Sequence, residues 1–101
     1  MKKTSKKTDA VSILHRRYIG NSAKRQAALQ EERVNAEVAR MIYELRTKEG
    51  LNQRQLAEMV NTTQSVISRM ENADYAGHSL SMLSRIAKAL NRRISVQMTA
   101  D

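Results

Sequence analysis

Apolar residues in this chain recur in short stripes of helical period, separated by polar breaks. Val34, Val38, Met41, Ile42 and Leu45 follow spacings of three and four, which predicts a first core helix. Glu49-Gly50 ends it, with Gly50 suited to the C′ position. Leu56, Ala57 and Val60 make a second stripe, and Val66, Ile67 and Met70 repeat its spacing on a third. Leu83, Ile86, Ala87 and Leu90 form the stripe that closes the core, and Asn91 ends it. The helix starts are marked. Asn52 and Gln55 stand at capping-box spacing, Leu51 and Leu56 at staple spacing, and Thr63 (or Thr62) and Ser79 suit the caps of the next two helices. Between the second and third stripes, Asn61-Thr62-Thr63 has no apolar residue, and Asn tolerates the left-handed backbone of a tight turn. The pattern predicts an all-α fold of four to five helices, with two short ones joined by a turn over Asn52–Asn72.

The two ends read differently. Arg92 to Met98 alternates apolar and polar residues, the pattern of a short C-terminal strand. A lone strand needs a partner, so Ile94, Val96 and Met98 are candidates for a two-stranded ribbon with a second copy of the chain; a frayed tail is the alternative. Residues 1–8 hold four Lys and no apolar residue after Met1, which predicts disorder, either simply solvated or adding nonspecific phosphate contacts. Residues 9–19 form a short amphipathic helix, with Asp9 as a cap, Val11, Leu14 and Tyr18 on its stripe and Ile13 and Ile19 widening it, which self-packs, docks on a partner or does neither. Gly20-Asn21-Ser22 is expected to break it, and residues 23–33 read as a polar helical spacer. The expected division is a basic N-terminal arm over 1–31 and a helix-turn-helix domain over 32–101 that ends in the dimerisation strand over 92–98.

Composition narrows the class. The chain has 101 residues with no Pro, Trp, Phe or Cys, so one small helical domain without disulfides is expected. A core of about sixty residues is marginal for a monomer, which favours a homodimer. Net charge is +8, of which residues 1–33 supply +6 (nine Lys/Arg against Asp9, Glu31 and Glu32). That asymmetry suits a polyanionic partner. The basic start has no apolar run behind it, so no signal peptide is expected, and no stretch is apolar enough to cross a membrane; a cytoplasmic protein follows. His15 and His78 lack metal-ligand spacing partners, and no nucleophile–base–acid set or Gly-rich phosphate loop occurs. No enzyme, catalytic residue, cofactor or metal is expected.

The face of the third stripe opposite Val66, Ile67 and Met70 carries Gln64, Ser65, Ser68 and Arg69. A merely solvated helix usually carries Glu and Lys there, whereas amides, hydroxyls and Arg are the side chains that read base edges. An ordinary helix pair inside an all-α core is the alternative. The run from Leu45 to Asn72, continued by S-L-S-M-L-S-R-I-A-K-A-L-N, resembles the phage-repressor (XRE) helix-turn-helix family over roughly Glu37 to Met98. The resemblance implies that Thr63, Gln64, Ser65, Ser68 and Arg69 face the major groove, and that Asn52 and Gln53 approach a phosphate. It also implies a structural pair between Arg46 and Glu71. Asn61, Ala73 and Asn91 stand where Gly is commoner in that family.

With its extra N-terminal segment and terminal strand, the arrangement resembles HigA-type and HipB-type antitoxins. That resemblance implies double-stranded DNA as partner, at an inverted-repeat operator, and a cognate toxin held by Val11 to Ile19. The expected function is a sequence-specific repressor that is the antitoxin of a type II toxin–antitoxin pair and autoregulates its operon. Two alternatives stay open: a regulator with no toxin partner, and an interaction adaptor that no longer reads DNA.

Overall fold

The computed structural model describes the backbone of residues 6–100 and the side chains of residues 21–100. Four helices follow one another: α1 (Lys6–Lys48), α2 (Gln53–Met59), α3 (Gln64–Met70) and α4 (Leu80–Ala89). By compactness the chain divides into Met1–Glu31 and Glu32–Asp101.

In the first unit α1 is already helical from Lys6 and passes through Gly20-Asn21-Ser22 without interruption. The expected break is therefore absent. A helical Gly costs only about 1 kcal/mol relative to Ala, no Pro blocks the ladder, and the flanking Ala, Lys, Arg, Gln and Glu are strong helix formers. Residues 6–8, read as disordered, belong to this helix; residues 1–5 lie outside the described residues. From Asn21 to Glu31 every side chain is exposed except the half-buried Ser22.

The second unit holds the core. Ile42 of α1, Leu56, Ala57 and Val60 of α2 and its cap, Ile67 and Met70 of α3, and Ile86 and Leu90 of α4 and its cap are all buried together. Leu51 packs against this cluster, as its staple position requires. The α1 stripe is narrower than expected. Val34 and Met41 are 49% and 53% exposed, because Met41 lies one residue, about 100° of rotation, from Ile42. Ala39 and Arg46 are buried instead.

Three helix ends use one device. The N–H groups of Leu51, Thr62 and Arg92 donate to the carbonyls of Arg46, Ala57 and Ala87, five residues back, at 3.1, 2.8 and 2.7 Å. In each case the preceding residue is left-handed: Gly50 at φ 75°, Asn61 at 60° and Asn91 at 57°. The end of α3 differs: Ala73 is not left-handed, and the N–H groups of Glu71 and Asn72 close back on Ile67 O and Arg69 O, four and three residues away, at 3.1 and 3.0 Å. Among the described residues there is no strand, and Arg92 to Ala100 is irregular. A strand has no ladder partner within one chain, so the alternation of this tail cannot form a sheet by itself.

Candidate nucleic-acid interface

The sequence supplies α3 with a start, two faces and a tether. Thr63 caps it, its hydroxyl accepting from Val66 N–H at 3.3 Å. Ile67 and Met70 are 0% and 2% exposed and fix the inner face in the core. On the outer side Gln64, Ser65, Ser68 and Arg69 are all exposed, together with the cap residue Thr63. Arg69 Nε donates to Ser65 O at 3.4 Å, which lays the guanidinium stem along the helix. This helix holds no acid, so nothing on its outer side repels a phosphate or a guanine acceptor edge.

What fixes α3 is a clamp on one carboxylate. Glu71, the C-cap of α3, accepts from Arg46 Nε at 2.6 Å on one oxygen and from Arg46 Nη2 at 3.0 Å on the other. Gln53, the first residue of α2, donates from Nε2 to the second oxygen at 3.1 Å. Arg46 Nη1 also donates to Leu51 O at 2.7 Å. One carboxylate thus joins α1, the start of α2 and the end of α3. The Arg46 and Glu71 side chains are only 8% and 4% exposed. The Glu71 hydrogen bond raises the Arg46 pKa above its ordinary value against the opposing effect of burial. The implied structural pair is present. Gln53 is half-buried with one amide hydrogen committed to Glu71, a role that its place at a helix start does not signal.

The turn is set from both sides. Asn52 Oδ1 accepts from Gln55 N–H at 2.7 Å and Asn52 N–H donates to Gln55 Oε1 at 2.8 Å, the expected capping box. Arg85 of α4 donates from Nη2 to the carbonyl of Val60, tying α4 to the turn between α2 and α3. No periodicity signals that interaction.

His78, which has no metal-ligand spacing partner in the sequence, supports the end of α3. Its Nε2 lies 2.8 Å from Met70 O, a hydrogen bond in which a protonated Nε2 donates to the carbonyl. Tyr75 packs edge-on against its ring at 4.9 Å. The available signal was the missing Gly: an α3 end without a left-handed residue leaves carbonyls that need other donors.

The remaining candidates lie apart from α3 in the chain. Val11, Leu14, Tyr18 and Ile19 fall within α1, and their side chains lie outside the described ones. Ile94 is half-buried, whereas Val96 and Met98 are 62% and 96% exposed. Among the described residues no cluster of His, Cys, Asp or Glu is arranged to hold a metal, and no helix is long and apolar enough to cross a membrane.

A family model described as "Helix-turn-helix" matches residues 42–97, which takes in α2, α3, α4 and the last turns of α1. No curated protein matches the chain.

Proposed function

The chain belongs to the XRE-type helix-turn-helix family of DNA-binding regulators, and we propose that it is a sequence-specific repressor that binds its operator as a homodimer. The observation that carries this is the division of α3: Ile67 and Met70 are sunk in the core while Gln64, Ser65, Ser68 and Arg69 stand exposed. A seven-residue helix held this way can offer its outer side to the major groove. Gln64 hydrogen-bonds a base edge, with adenine the best match for its amide, and Arg69 takes a guanine or a phosphate. Ser65 and Ser68 are secondary readers. The Thr63 hydroxyl is committed to its cap, which leaves its methyl for a thymine methyl. Asn52 and Gln53 lie at the phosphate; Gln53 keeps a second amide hydrogen for it beyond the one given to Glu71.

Two finer parts extend this reading. The exposed, unpaired tail around Val96 and Met98 pairs with its copy across a two-fold axis, and the dimer meets an inverted repeat with half-sites about one helical turn apart. Val11, Leu14, Tyr18 and Ile19 are apolar positions of a stretch that also carries Arg16 and Arg17, and they take a cognate toxin in an autoregulated antitoxin pair.

The test compares binding to the duplex upstream of the protein's own gene with a shuffled duplex at about 150 mM salt. A site-specific repressor prefers its own sequence by roughly a thousandfold or more. Equal affinity for both duplexes would contradict autoregulation. For the toxin, co-expression with the neighbouring reading frame should give a complex that Leu14→Asp dissolves.

A further inference from the structure

The boundary between the two compact units is also a boundary of charge. Met1–Glu31 carries eight Lys/Arg against Asp9 and Glu31, a net of +6, whereas Glu32–Asp101 carries ten against eight acids, a net of +2. Within α1, Arg16, Arg17, Lys24 and Arg25 have no acid within four residues on either side. They therefore lack the i,i+3 and i,i+4 partners that stabilise an isolated helix. Lys24 and Arg25 are exposed, and from Ala23 to Val34 no side chain is buried. A helix whose cations at Arg16, Arg17, Lys24 and Arg25 repel one another without acidic partners is poorly explained as a structural spacer, since Glu/Lys pairs would serve that purpose better.

We infer that the N-terminal part of α1, from Lys6 to Arg25, is a second DNA-contacting element that binds the phosphate backbone without reading sequence. Charge complementarity selects the occupant: the duplex is the polyanion that the same chain already meets through α3. Its contribution is electrostatic, by release of condensed counterions, and so depends steeply on salt. The inference rests on the DNA-binding reading of α3 but assigns a separate surface and a separate property, the salt slope rather than the sequence preference.

The experiment measures the affinity of the full chain for a mixed-sequence duplex of about 40 base pairs between roughly 0.05 and 0.3 M NaCl. It compares wild type with a variant in which Lys6, Lys7, Arg16, Arg17, Lys24 and Arg25 are all Gln, a residue of similar helix propensity. Each phosphate that the variant no longer neutralises lowers the magnitude of the slope of log K against log[salt] by about 0.9. Three fewer neutralised phosphates would lower it by about 2.7 and weaken binding at 0.1 M salt by about two to three orders of magnitude. Far-UV circular dichroism checks that the helix persists. A second variant, Arg16, Arg17 and Arg25 to Lys, keeps the charge and should keep the wild-type slope. An unchanged slope in the Gln variant overturns the inference and leaves α3 untouched. So does wild-type binding to vesicles containing phosphatidylserine that disappears in that variant while its DNA slope is unaltered, because the occupant is then a membrane surface. No binding of wild type to any duplex at 0.05 M salt removes the reading of α3 itself.

Discussion

Residues 23–34 and residues 38–46 lie on one helix and meet opposite surroundings. Every side chain in the first stretch is exposed, whereas Ala39, Ile42 and Arg46 in the second are buried. Local propensity favours helix in both: Ala, Gln, Glu, Lys and Arg dominate the first, and the second adds an apolar stripe. The difference is therefore tertiary. One stretch is helical on propensity alone; the other is helical and also anchors α2 and α3 through Ile42 and the Arg46–Glu71 clamp. Substitutions should separate the two sharply.

The largest effect is expected at the clamp. Glu71→Ala leaves a buried guanidinium without its partner and should cost about 3–5 kcal/mol in urea unfolding. Arg25→Ala, on the exposed stretch, should stay within about 0.5 kcal/mol. Equal effects would mean that the clamp is not buried in solution. Leu56→Ala should follow at about 2–5 kcal/mol, against less than about 0.5 for Leu29→Ala, since Leu56 is 0% exposed and Leu29 is 54% exposed. Asn52→Ala removes the cap and half of the capping box and should lower stability by about 1 kcal/mol, read as a shift in the denaturation midpoint at constant m. Smallest is Gly20→Ala, which should stabilise a continuous helix by about 0.5–1 kcal/mol and raise helicity by circular dichroism. A loss of helicity there would restore the break that Gly20-Asn21-Ser22 suggests.

These residues also show what a sequence can and cannot disclose. The stripes of α2, α3 and α4, the caps at Asn52, Thr63 and Ser79, and the left-handed ends at Gly50, Asn61 and Asn91 were legible because each follows from local spacing and backbone preference, whereas the α1 stripe was legible only at Val38, Ile42 and Leu45. The outer face of α3 was legible for the same reason: burying Ile67 and Met70, with Val66 half-buried beside them, leaves Gln64, Ser65, Ser68 and Arg69 outside. Arg46–Glu71 joins residues 25 apart in the chain and came from family resemblance alone. Gln53 to Glu71 and Arg85 to the Val60 carbonyl had no such guide, because pairing across 18 and 25 residues leaves no periodic trace. Gly20-Asn21-Ser22 misled for the opposite reason. A weak local breaker was set against about ten strong helix formers on its C-terminal side, and the longer run prevailed.

The central claim is that the exposed side of α3 reads bases while its buried side only holds it in place. Its most direct test is the preference of Gln64→Ala and Arg69→Ala for the upstream duplex over a shuffled one, with thermal stability measured alongside. Removing a bidentate base interaction should cost about 1–3 kcal/mol of discrimination each, roughly fivefold to more than a hundredfold, with the melting temperature unchanged. A preference kept intact in both variants would contradict the claim and place sequence reading elsewhere in the chain.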